Sequence, residues 1–243
     1  MERPAEIARE WLRSATRVAA LTGAGISAES GIPTFRGPGG LWRQRRPEDL
    51  ATPQAFARDP KLVWEWYDWR RSVVAAAEPN AGHRALADLE RQIPDFTLIT
   101  QNVDGLHDRG GSARLLKVHG DIWTLRCTQC PRQWNDLRER LPEVPPRCEC
   151  GAMARPGVVW FGEGLPQEVW NEAVRAAREA QVFLVIGTSS VVYPAAGLAE
   201  LARAGGAKVI EINIEQTPVS SEVDLSWRAS ASEALPQLLQ SRA

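Results

Sequence analysis

The sequence is poor in lysine, histidine and cysteine, and it lacks long apolar runs. Its 243 residues include only three histidines and three lysines (Lys61, Lys117 and Lys208), and its four cysteines all lie between Cys127 and Cys150. No apolar run approaches the roughly 18 residues of a membrane span, and the start MERPAEIAREWLRS has no signal-peptide core. The formal net charge of -1 gives no basic footprint for nucleic acid. We expect a cytoplasmic monomer with no membrane or nucleic-acid partner.

Five short apolar runs alternate with helical patterns. Each run ends in glycine, asparagine or serine, which is typical of a buried strand followed by a polar loop. The runs are RVAALTGAG (17–25), FTLITQN (96–102), LLKVHG (115–120), VFLVIGTSS (182–190) and KVIEIN (208–213). The alternation predicts an α/β fold with a Rossmann-like, doubly wound parallel sheet, in which ligands bind at the carboxyl ends of the strands.

Two segments interrupt this alternation and predict a smaller module beside the sheet. Residues 37–79 are rich in Trp and Arg and show a helical pattern at 61–77, whereas residues 124–154 carry the cysteines and several prolines. We expect the first segment to form a helical insertion and the second a metal-binding insertion. The Rossmann-like domain would then comprise residues 1–36, 80–123 and 155–243.

The cysteines occur as Cys127-x-x-Cys130 and Cys148-x-Cys150. Four thiolates can close a tetrahedral zinc site and leave no coordination position for water, so the zinc would be structural. Zinc would also explain how so short an insertion folds. The Cys-x-Cys spacing departs from the usual pattern, and a chance cluster of reduced core cysteines is the alternative. His119 ends a predicted strand and is not needed as a ligand.

A glycine-rich turn follows the first predicted strand. Gly23-Ala24-Gly25 could bring backbone N–H groups to a pyrophosphate, although a tight strand–helix connection would need the same glycines. The acidic residue expected about 20 positions later in a dinucleotide-binding motif is missing. Asn213 and Glu215, after the fifth strand, could bind an adenosine ribose instead.

A second polar cluster follows the second predicted strand. In TQNVDGLH (100–107), the side chains of Gln101, Asn102 and Asp104 offer amide and carboxylate groups within one turn. An Asx-type turn that caps a helix is the alternative for this stretch. Of the other two histidines, His83 precedes a helical pattern, which indicates a turn or capping role, and His107 could support the Asn102–Asp104 loop.

Together these segments resemble the sirtuins, the NAD-dependent protein lysine deacylases. The matching stretches occur in the family's order and cover nearly the whole chain. They are GAGIS (23–27), GIPTFRG (31–37), TQNVD (100–104), LLKVHG (115–120), the four cysteines, VVWFGE (158–163), GTSSVVYPA (187–195) and EINIE (211–215).

The resemblance implies that NAD lies along the carboxyl edge of the sheet and that one structural zinc ion occupies the cysteines. His119 would act as the general base on a ribose hydroxyl, and Asn102 would be the second catalytic residue. The residues expected at NAD are Gly23, Ala24, Gly25, Glu29, Thr34, Phe35, Arg36, Trp42, Gln101, Asn102, Val103, Asp104, Gly187, Thr188, Ser189, Asn213, Ile214, Glu215 and Ala231. The products would be free lysine, nicotinamide and O-acyl-ADP-ribose.

The protein substrate is expected as an extended strand between VVWFGE and residues 190–193, bound through main-chain hydrogen bonds. The residues expected there are Val159, Phe161, Gly162 and Glu163. Recognition of this kind reads little sequence, so acylated lysines of many proteins could serve as substrates.

Tyr67 and Arg70 lie three residues apart, on one face of a predicted helix. A solvated amphipathic helix is the alternative interpretation. The family branch that removes succinyl, malonyl and glutaryl groups (class III) has Tyr-x-x-Arg here and a small residue at the position of Ala51. Phenol and guanidinium groups can bind a carboxylate by charge-assisted hydrogen bonds. The resemblance therefore implies a bacterial or archaeal member that removes both acetyl and acidic acyl groups.

Three other functions are alternatives to this interpretation. A protein mono-ADP-ribosyltransferase could use the same NAD site and would transfer ADP-ribose to protein. A zinc-ribbon adaptor or NAD sensor would require the set Asn102, Asp104 and His119 to be broken, and all three are present. A hydride-transferring oxidoreductase is disfavoured by the missing GxGxxG motif.

Overall fold

The computed structural model describes residues 2–35, 40–41 and 46–239. Within these ranges the strands are β1 (Arg17–Thr22), β2 (Asp95–Thr100), β3 (Leu115–Lys117), β4 (Gly120–Cys127), β5 (Gln133–Asn135), β6 (Ala154–Val158), β7 (Val182–Ile186), β8 (Lys208–Asn213) and β9 (Leu225–Arg228). The helices are α1 (Glu2–Ser14), α2 (Gly25–Ala28), α3 (Pro47–Leu50), α4 (Pro53–Arg58), α5 (Pro60–Ala76), α6 (Ala81–Gln92), α7 (Leu106–Arg109), α8 (Gln167–Glu179), α9 (Leu198–Ala204) and α10 (Ala231–Leu239). A 3-10 turn covers Ala195–Gly197.

Six strands form the main sheet in the order β3-β2-β1-β7-β8-β9, and every neighbouring pair is parallel. The five strands predicted from apolar runs are confirmed as β1, β2, β3, β7 and β8. The edge strand β9 was not anticipated, because its sequence LSWR does not form a continuous apolar run. Strand order reverses between β1 and β7, which places the open crevice of the sheet at their carboxyl ends.

Strand β1 shows how the sequence covers both faces of the sheet. Val18 and Ala20 pack into a cluster that includes apolar residues of α1, α6 and α10. Ala19 and Leu21 point to the opposite side and pack with residues of α8 and α9. Successive side chains of a strand alternate between faces, so a run that is apolar throughout needs helices on both sides. The predicted doubly wound architecture is confirmed.

The smaller module contains an antiparallel sheet in the order β5-β4-β6. Helix α5 packs on this sheet through a core that includes Trp64, Ile122 and Leu125. The helix predicted at 61–77 is thus confirmed as α5, which begins after Asp59, whose side chain accepts from the Leu62 N–H at 2.9 Å. The residue-level domain boundaries stay a prediction. No helix of the described residues is both long and apolar enough to cross a membrane.

A buried arginine joins α5 to the second sheet. The side chain of Arg71 is 0% exposed and pairs with Asp136 at 3.2 Å. Its guanidinium also donates to the carbonyl oxygens of Ile122 (2.9 Å), Asp136 (2.6 Å) and Arg138 (2.7 Å). A charge this deeply buried is tolerated only when such partners replace water.

Replacing Arg71 should destabilise the protein more than replacing an exposed arginine. Arg71→Met removes the donor of three buried carbonyl oxygens, which typically costs about 1–3 kcal/mol in the free energy of unfolding for each acceptor left unsatisfied. The Asp136 carboxylate keeps its bonds from Arg138. The matched control is Arg91→Met, whose ion pair with Asp88 is largely exposed and should contribute about 0–1 kcal/mol. Denaturant unfolding measures both. Equal losses for the two variants would contradict the joining role of Arg71.

Candidate active site at the carboxyl ends of the parallel strands

A cavity of about 610 Å³ lies at the carboxyl ends of β1, β2, β7 and β8 and reaches residues of the smaller module. It is lined by all the predicted catalytic, cofactor and substrate residues that the structure describes, with the exception of Asp104. The predicted residues Arg36 and Trp42 lie outside the described residues. Residues that are more than 180 positions apart in sequence, such as Gly23 and Asn213, therefore share one cavity.

The glycine-rich turn after β1 lies against the loop after β7. The Gly23 N–H donates to the Ile186 carbonyl at 3.0 Å, and the Gly25 N–H donates to the Gly187 carbonyl at 2.7 Å. A Cβ atom on Gly25 would lie 2.7 Å from the Gly187 oxygen, and Gly187 itself has a φ of +57°. Neither position can carry a side chain without moving the other loop. The glycines make the connection between strand and helix tight, and they also form one wall of the cavity from backbone atoms. We call the segment formed by Gly23, Gly25 and Gly187 the glycine wall.

Asn102 is held at the base of the cavity. Its Nδ2 donates to the Gly23 carbonyl at 3.1 Å and to Ser27 Oγ at 3.2 Å, and its backbone N–H donates to Thr100 Oγ1 at 3.0 Å. Among the hydrogen bonds of the described residues, none uses Asn102 Oδ1. The side chain is therefore fixed through its nitrogen, and its oxygen is available to accept a hydrogen bond from a ligand.

Asp104 lies behind the cavity wall. It is 5% exposed, and its carboxylate accepts from Ser27 Oγ at 2.8 Å and from the Leu106 N–H at 2.9 Å. Burial raises the pKa of Asp104, while these two hydrogen bonds oppose the rise. The geometry gives Asp104 a supporting role: it holds Ser27, which in turn accepts from Asn102.

His119 presents one ring nitrogen to the cavity. Its Nδ1 lies 3.1 Å from the Gln101 carbonyl oxygen, and because a carbonyl can only accept, Nδ1 carries the proton. The lone pair is consequently on Nε2. Burial lowers the pKa of His119 below its ordinary 6.5, against the opposing effect of the Gln101 hydrogen bond. At neutral pH the ring is a neutral imidazole with a free basic nitrogen, which is the state that a general base requires.

The other two histidines are structural. His83 forms a capping box with Asn80 at the start of α6, which confirms the predicted capping role. His107 Nε2 lies 2.9 Å from Thr22 Oγ1, beneath the loop that begins with Asn102. Burial lowers the pKa of His83 to about 4 and that of His107 to about 3. Neither side chain lines the cavity.

Tyr67 and Arg70 form a buried end of the cavity together with Ala51. Tyr67 is 2% and Arg70 7% exposed, so the alternative of a solvated helix face is wrong. The Arg70 guanidinium carbon lies 4.9 Å from the centre of the Phe35 ring and 5.0 Å from that of Trp66. Burial lowers the pKa of Arg70. Within residues 2–35, 40–41 and 46–239, no ion pair joins Arg70 to a carboxylate, although buried cations usually have one.

The sequence analysis did not identify the residue that holds the Asn213–Glu215 loop, where an adenosine ribose is expected. Arg228 of β9 donates to the carbonyls of Asn213 (3.3 Å) and Glu215 (2.7 Å) and pairs at 2.8 Å with Glu211, which is 0% exposed. Asn213 Nδ2 in turn donates to the Thr188 carbonyl at 2.8 Å. The signal was the glutamate within the apolar run KVIEIN, since a carboxylate on a buried strand needs a cationic or hydroxyl partner.

The four cysteines meet as predicted. Their Sγ atoms all lie within 4.8 Å of one another, with Cys127–Cys150 at 3.5 Å and Cys130–Cys148 at 3.7 Å. Tetrahedral Zn–S bonds of about 2.3 Å place sulfur atoms about 3.8 Å apart, so the set fits one zinc ion. The N–H groups of Cys130 and Gln129 donate to Cys127 Sγ at 3.3 and 3.4 Å, which fixes the direction of this sulfur within the cluster.

The fold and cavity define an α/β dinucleotide-binding protein with a zinc-ribbon module. A model of the Sir2 family matches residues 23–194. The NAD-dependent protein deacylase of Aquifex aeolicus (strain VF5) is 54% identical over 222 residues, which cover 91% of this chain and 93% of that protein. The NAD-dependent protein deacylase of Mycobacterium tuberculosis (strain CDC 1551 / Oshkosh) is 50% identical over 230 residues, 92% of this chain and 97% of that one.

Solved structures agree with these relatives. A Sir2 homologue–NAD complex superposes with a TM-score of 0.90 at 47% identity and covers 97% of this chain and 92% of that one. A Sir2–p53 peptide–NAD+ complex gives a TM-score of 0.84 at 30% identity, with 95% of each chain covered. The chain belongs to the Sir2 family, and the family resemblance stated from the sequence is confirmed.

We predict one zinc equivalent per chain. Elemental analysis of purified protein should show it, and Cys130→Ser should lower the metal content because a hydroxyl replaces a thiolate ligand. Strong chelation should melt the smaller module and lower activity indirectly, since metal binding supplies folding free energy to such modules. Active protein with clearly substoichiometric zinc would contradict the site.

The second prediction for this site concerns His119. His119→Ala should lower kcat/KM by about a hundredfold to ten-thousandfold, the usual loss for a general base, while melting temperature and zinc content stay unchanged. In the wild type, kcat/KM should fall as the pH drops through the lowered pKa of His119, because protonation occupies Nε2. His83→Gln provides a control for pH effects that do not involve the base. An acid limb lying above pH 6.5 would contradict the assignment.

Proposed function

We propose that this chain is an NAD-dependent protein lysine deacylase that removes acetyl groups and acidic acyl groups (succinyl and malonyl) from lysine side chains. One observation carries the acidic part of the proposal: a buried guanidinium without a carboxylate partner among the described residues closes the cavity that also contains His119 Nε2. A substrate carboxylate would supply the direct ion pair that Arg70 lacks, since the Asp104 carboxylate acts on Arg70 only at longer range. The names of the Sir2 relatives support the deacylase activity but do not distinguish acyl groups.

NAD supplies an electrophilic ribose carbon and nicotinamide as the leaving group. The amide oxygen of an acyl-lysine is a weak nucleophile, so the protein must contribute mainly by positioning. Asn102, anchored through Nδ2, can orient a ribose hydroxyl with its Oδ1. His119 Nε2 can accept the proton of a ribose hydroxyl while Nδ1 stays bonded to Gln101. Each group is held by contacts to the protein before any ligand binds, which lowers the cost of reaching the reactive geometry.

The glycine wall and the Asn213–Glu215 loop are proposed to hold the remainder of NAD. Gly25 lies close enough to Gly187 that neither can carry a side chain, so backbone groups form the wall where phosphates would lie. Arg228 fixes the carbonyls of Asn213 and Glu215, which supports a preformed ribose site.

The protein substrate is proposed to bind as a strand beside residues 158–163. The Val159 N–H donates to the His119 carbonyl at 2.9 Å, and the Phe161 N–H donates to the Ala51 carbonyl at 3.0 Å. These bonds connect the expected peptide-binding strand directly to His119 and to Ala51 at the buried end of the cavity. A cytoplasmic location and a monomeric state are further parts of the proposal.

The reaction is tested by product identification. The protein is incubated with NAD and matched acetyl-, succinyl- and unmodified lysine peptides, and products are identified by mass. Nicotinamide, free lysine peptide and the corresponding O-acyl-ADP-ribose are expected from both acylated peptides. Transfer of ADP-ribose to protein with little O-acyl-ADP-ribose would favour the mono-ADP-ribosyltransferase alternative and overturn the proposal.

Arg70→Met tests the acyl specificity. Loss of a charge-assisted contact of about 2–3 kcal/mol corresponds to a drop of about 30- to 150-fold in kcat/KM. The drop should appear with succinyl- and malonyl-lysine but not with acetyl-lysine, which has no carboxylate. Tyr67→Phe should cause a smaller loss of the same kind, because it removes a hydroxyl but no charge.

The matched control for Arg70→Met is Arg58→Met, since the Arg58 side chain is 60% exposed and its ion pair with Asp49 lies outside the cavity. This control should leave the ratio of succinyl to acetyl kcat/KM unchanged. Equal losses for both substrates in Arg70→Met would mean that the arginine only supports α5, and would contradict the specificity assignment.

A further inference from the structure

Trp160 lies next to the Tyr67 phenol, at the buried end of the cavity that Tyr67, Arg70 and Ala51 form. Its indole Nε1–H donates to the Tyr67 oxygen at 2.9 Å, and the two residues are only 3% and 2% exposed. An indole N–H can only donate, so the Tyr67 oxygen must accept this bond. The phenolic O–H is then left to donate in another direction. Both residues line the cavity that Arg70 closes.

The indole itself is held on several sides. The Arg155 guanidinium carbon lies 3.5 Å from the centre of its ring system, and the Phe56 ring lies 5.3 Å away at an angle of 39°. Glu163 accepts two bonds from Arg155 (2.6 and 2.9 Å) and one from the Trp160 backbone N–H (2.8 Å). The direction of the Nε1–H bond is therefore fixed before any ligand enters.

Glu163 helps to hold the Trp160 indole in place, through its bonds to Arg155 and to the Trp160 backbone. The sequence placed it among the substrate-binding residues, and the structure shows its carboxylate occupied by Arg155 and the Trp160 backbone. This arrangement links three residues of the β6 region, Arg155, Trp160 and Glu163, to the phenol on α5. A change in the indole would therefore alter the hydrogen bonding of the Tyr67 hydroxyl.

We propose that Trp160 is a positioning residue for acidic acyl groups: it makes the Tyr67 oxygen an acceptor on one side, so that the hydroxyl donates to the carboxylate that Arg70 binds. The inference rests on the proposed removal of succinyl and malonyl groups. An acetyl group has no carboxylate to receive the Tyr67 hydrogen, so Trp160 acts on discrimination between acyl groups.

Trp160→Phe removes the N–H and keeps an aromatic ring. The ratio of kcat/KM for succinyl-lysine to that for acetyl-lysine peptides should fall about three- to tenfold, the range expected for one hydrogen bond. If Trp160 acts through the phenol, the double variant with Tyr67→Phe should give the same ratio as Tyr67→Phe alone. Trp11→Phe on α1, outside the cavity, is the control and should leave the ratio unchanged.

A second replacement guards against misfolding of Trp160→Phe. Site-specific incorporation of 3-benzothienylalanine at position 160 replaces the N–H by sulfur with little change of shape, and the same fall in ratio is expected. An unchanged ratio, or losses that add in the double variant, would overturn the positioning role while leaving the proposed function intact. A wild type that does not turn over succinyl-lysine would overturn both the acidic-acyl proposal and this inference.

Discussion

One hydrogen bond, from His119 Nδ1 to the Gln101 carbonyl, determines what the cavity can do chemically. It connects the carboxyl ends of β2 and β3, which are neighbours because the sheet pairs Thr100 with Lys117 in parallel register. With Nδ1 protonated, the basic nitrogen faces the cavity. The opposite tautomer would present a donor there, and the same residues could not accept a proton from a ribose hydroxyl. The catalytic assignment thus depends on strand order as much as on the histidine.

The acyl end of the cavity follows from a second constraint, the cost of a buried cation. Arg70 lies against the Phe35 and Trp66 rings, whose faces attract a guanidinium but do not neutralise it. A substrate carboxylate would complete the ion pair, whereas an acetyl group would leave the ring contacts as they are. This combination is the physical basis of the proposal that a single pocket accepts both neutral and acidic acyl chains.

Much of the fold was visible in the sequence because local patterns encode it. Apolar runs such as VFLVIGTSS predicted β7 and its polar loop, and the cysteine spacing predicted a cluster whose Sγ atoms now meet within 4.8 Å. The sequence could not show that Asp104 lies behind the cavity wall or that Trp160 donates to Tyr67, 93 residues away. Those facts depend on how the smaller module packs on the sheet. Glu211 was predictable in part. Its place in an apolar run indicates that the carboxylate has a buried partner, but only the tertiary structure identifies that partner as Arg228.

The protonation state of His119 is the most direct measurement of the central claim. The chain has only three histidines, so long-range ¹H–¹⁵N correlation spectra of ¹⁵N-histidine-labelled protein can resolve each ring across a pH titration. A neutral ring protonated at Nδ1, with a pKa below 6.5, is expected for His119. His83 and His107, with pKa values of about 4 and 3, should stay neutral as internal references. A His119 ring protonated at Nε2, or charged at neutral pH, would contradict its role as the general base.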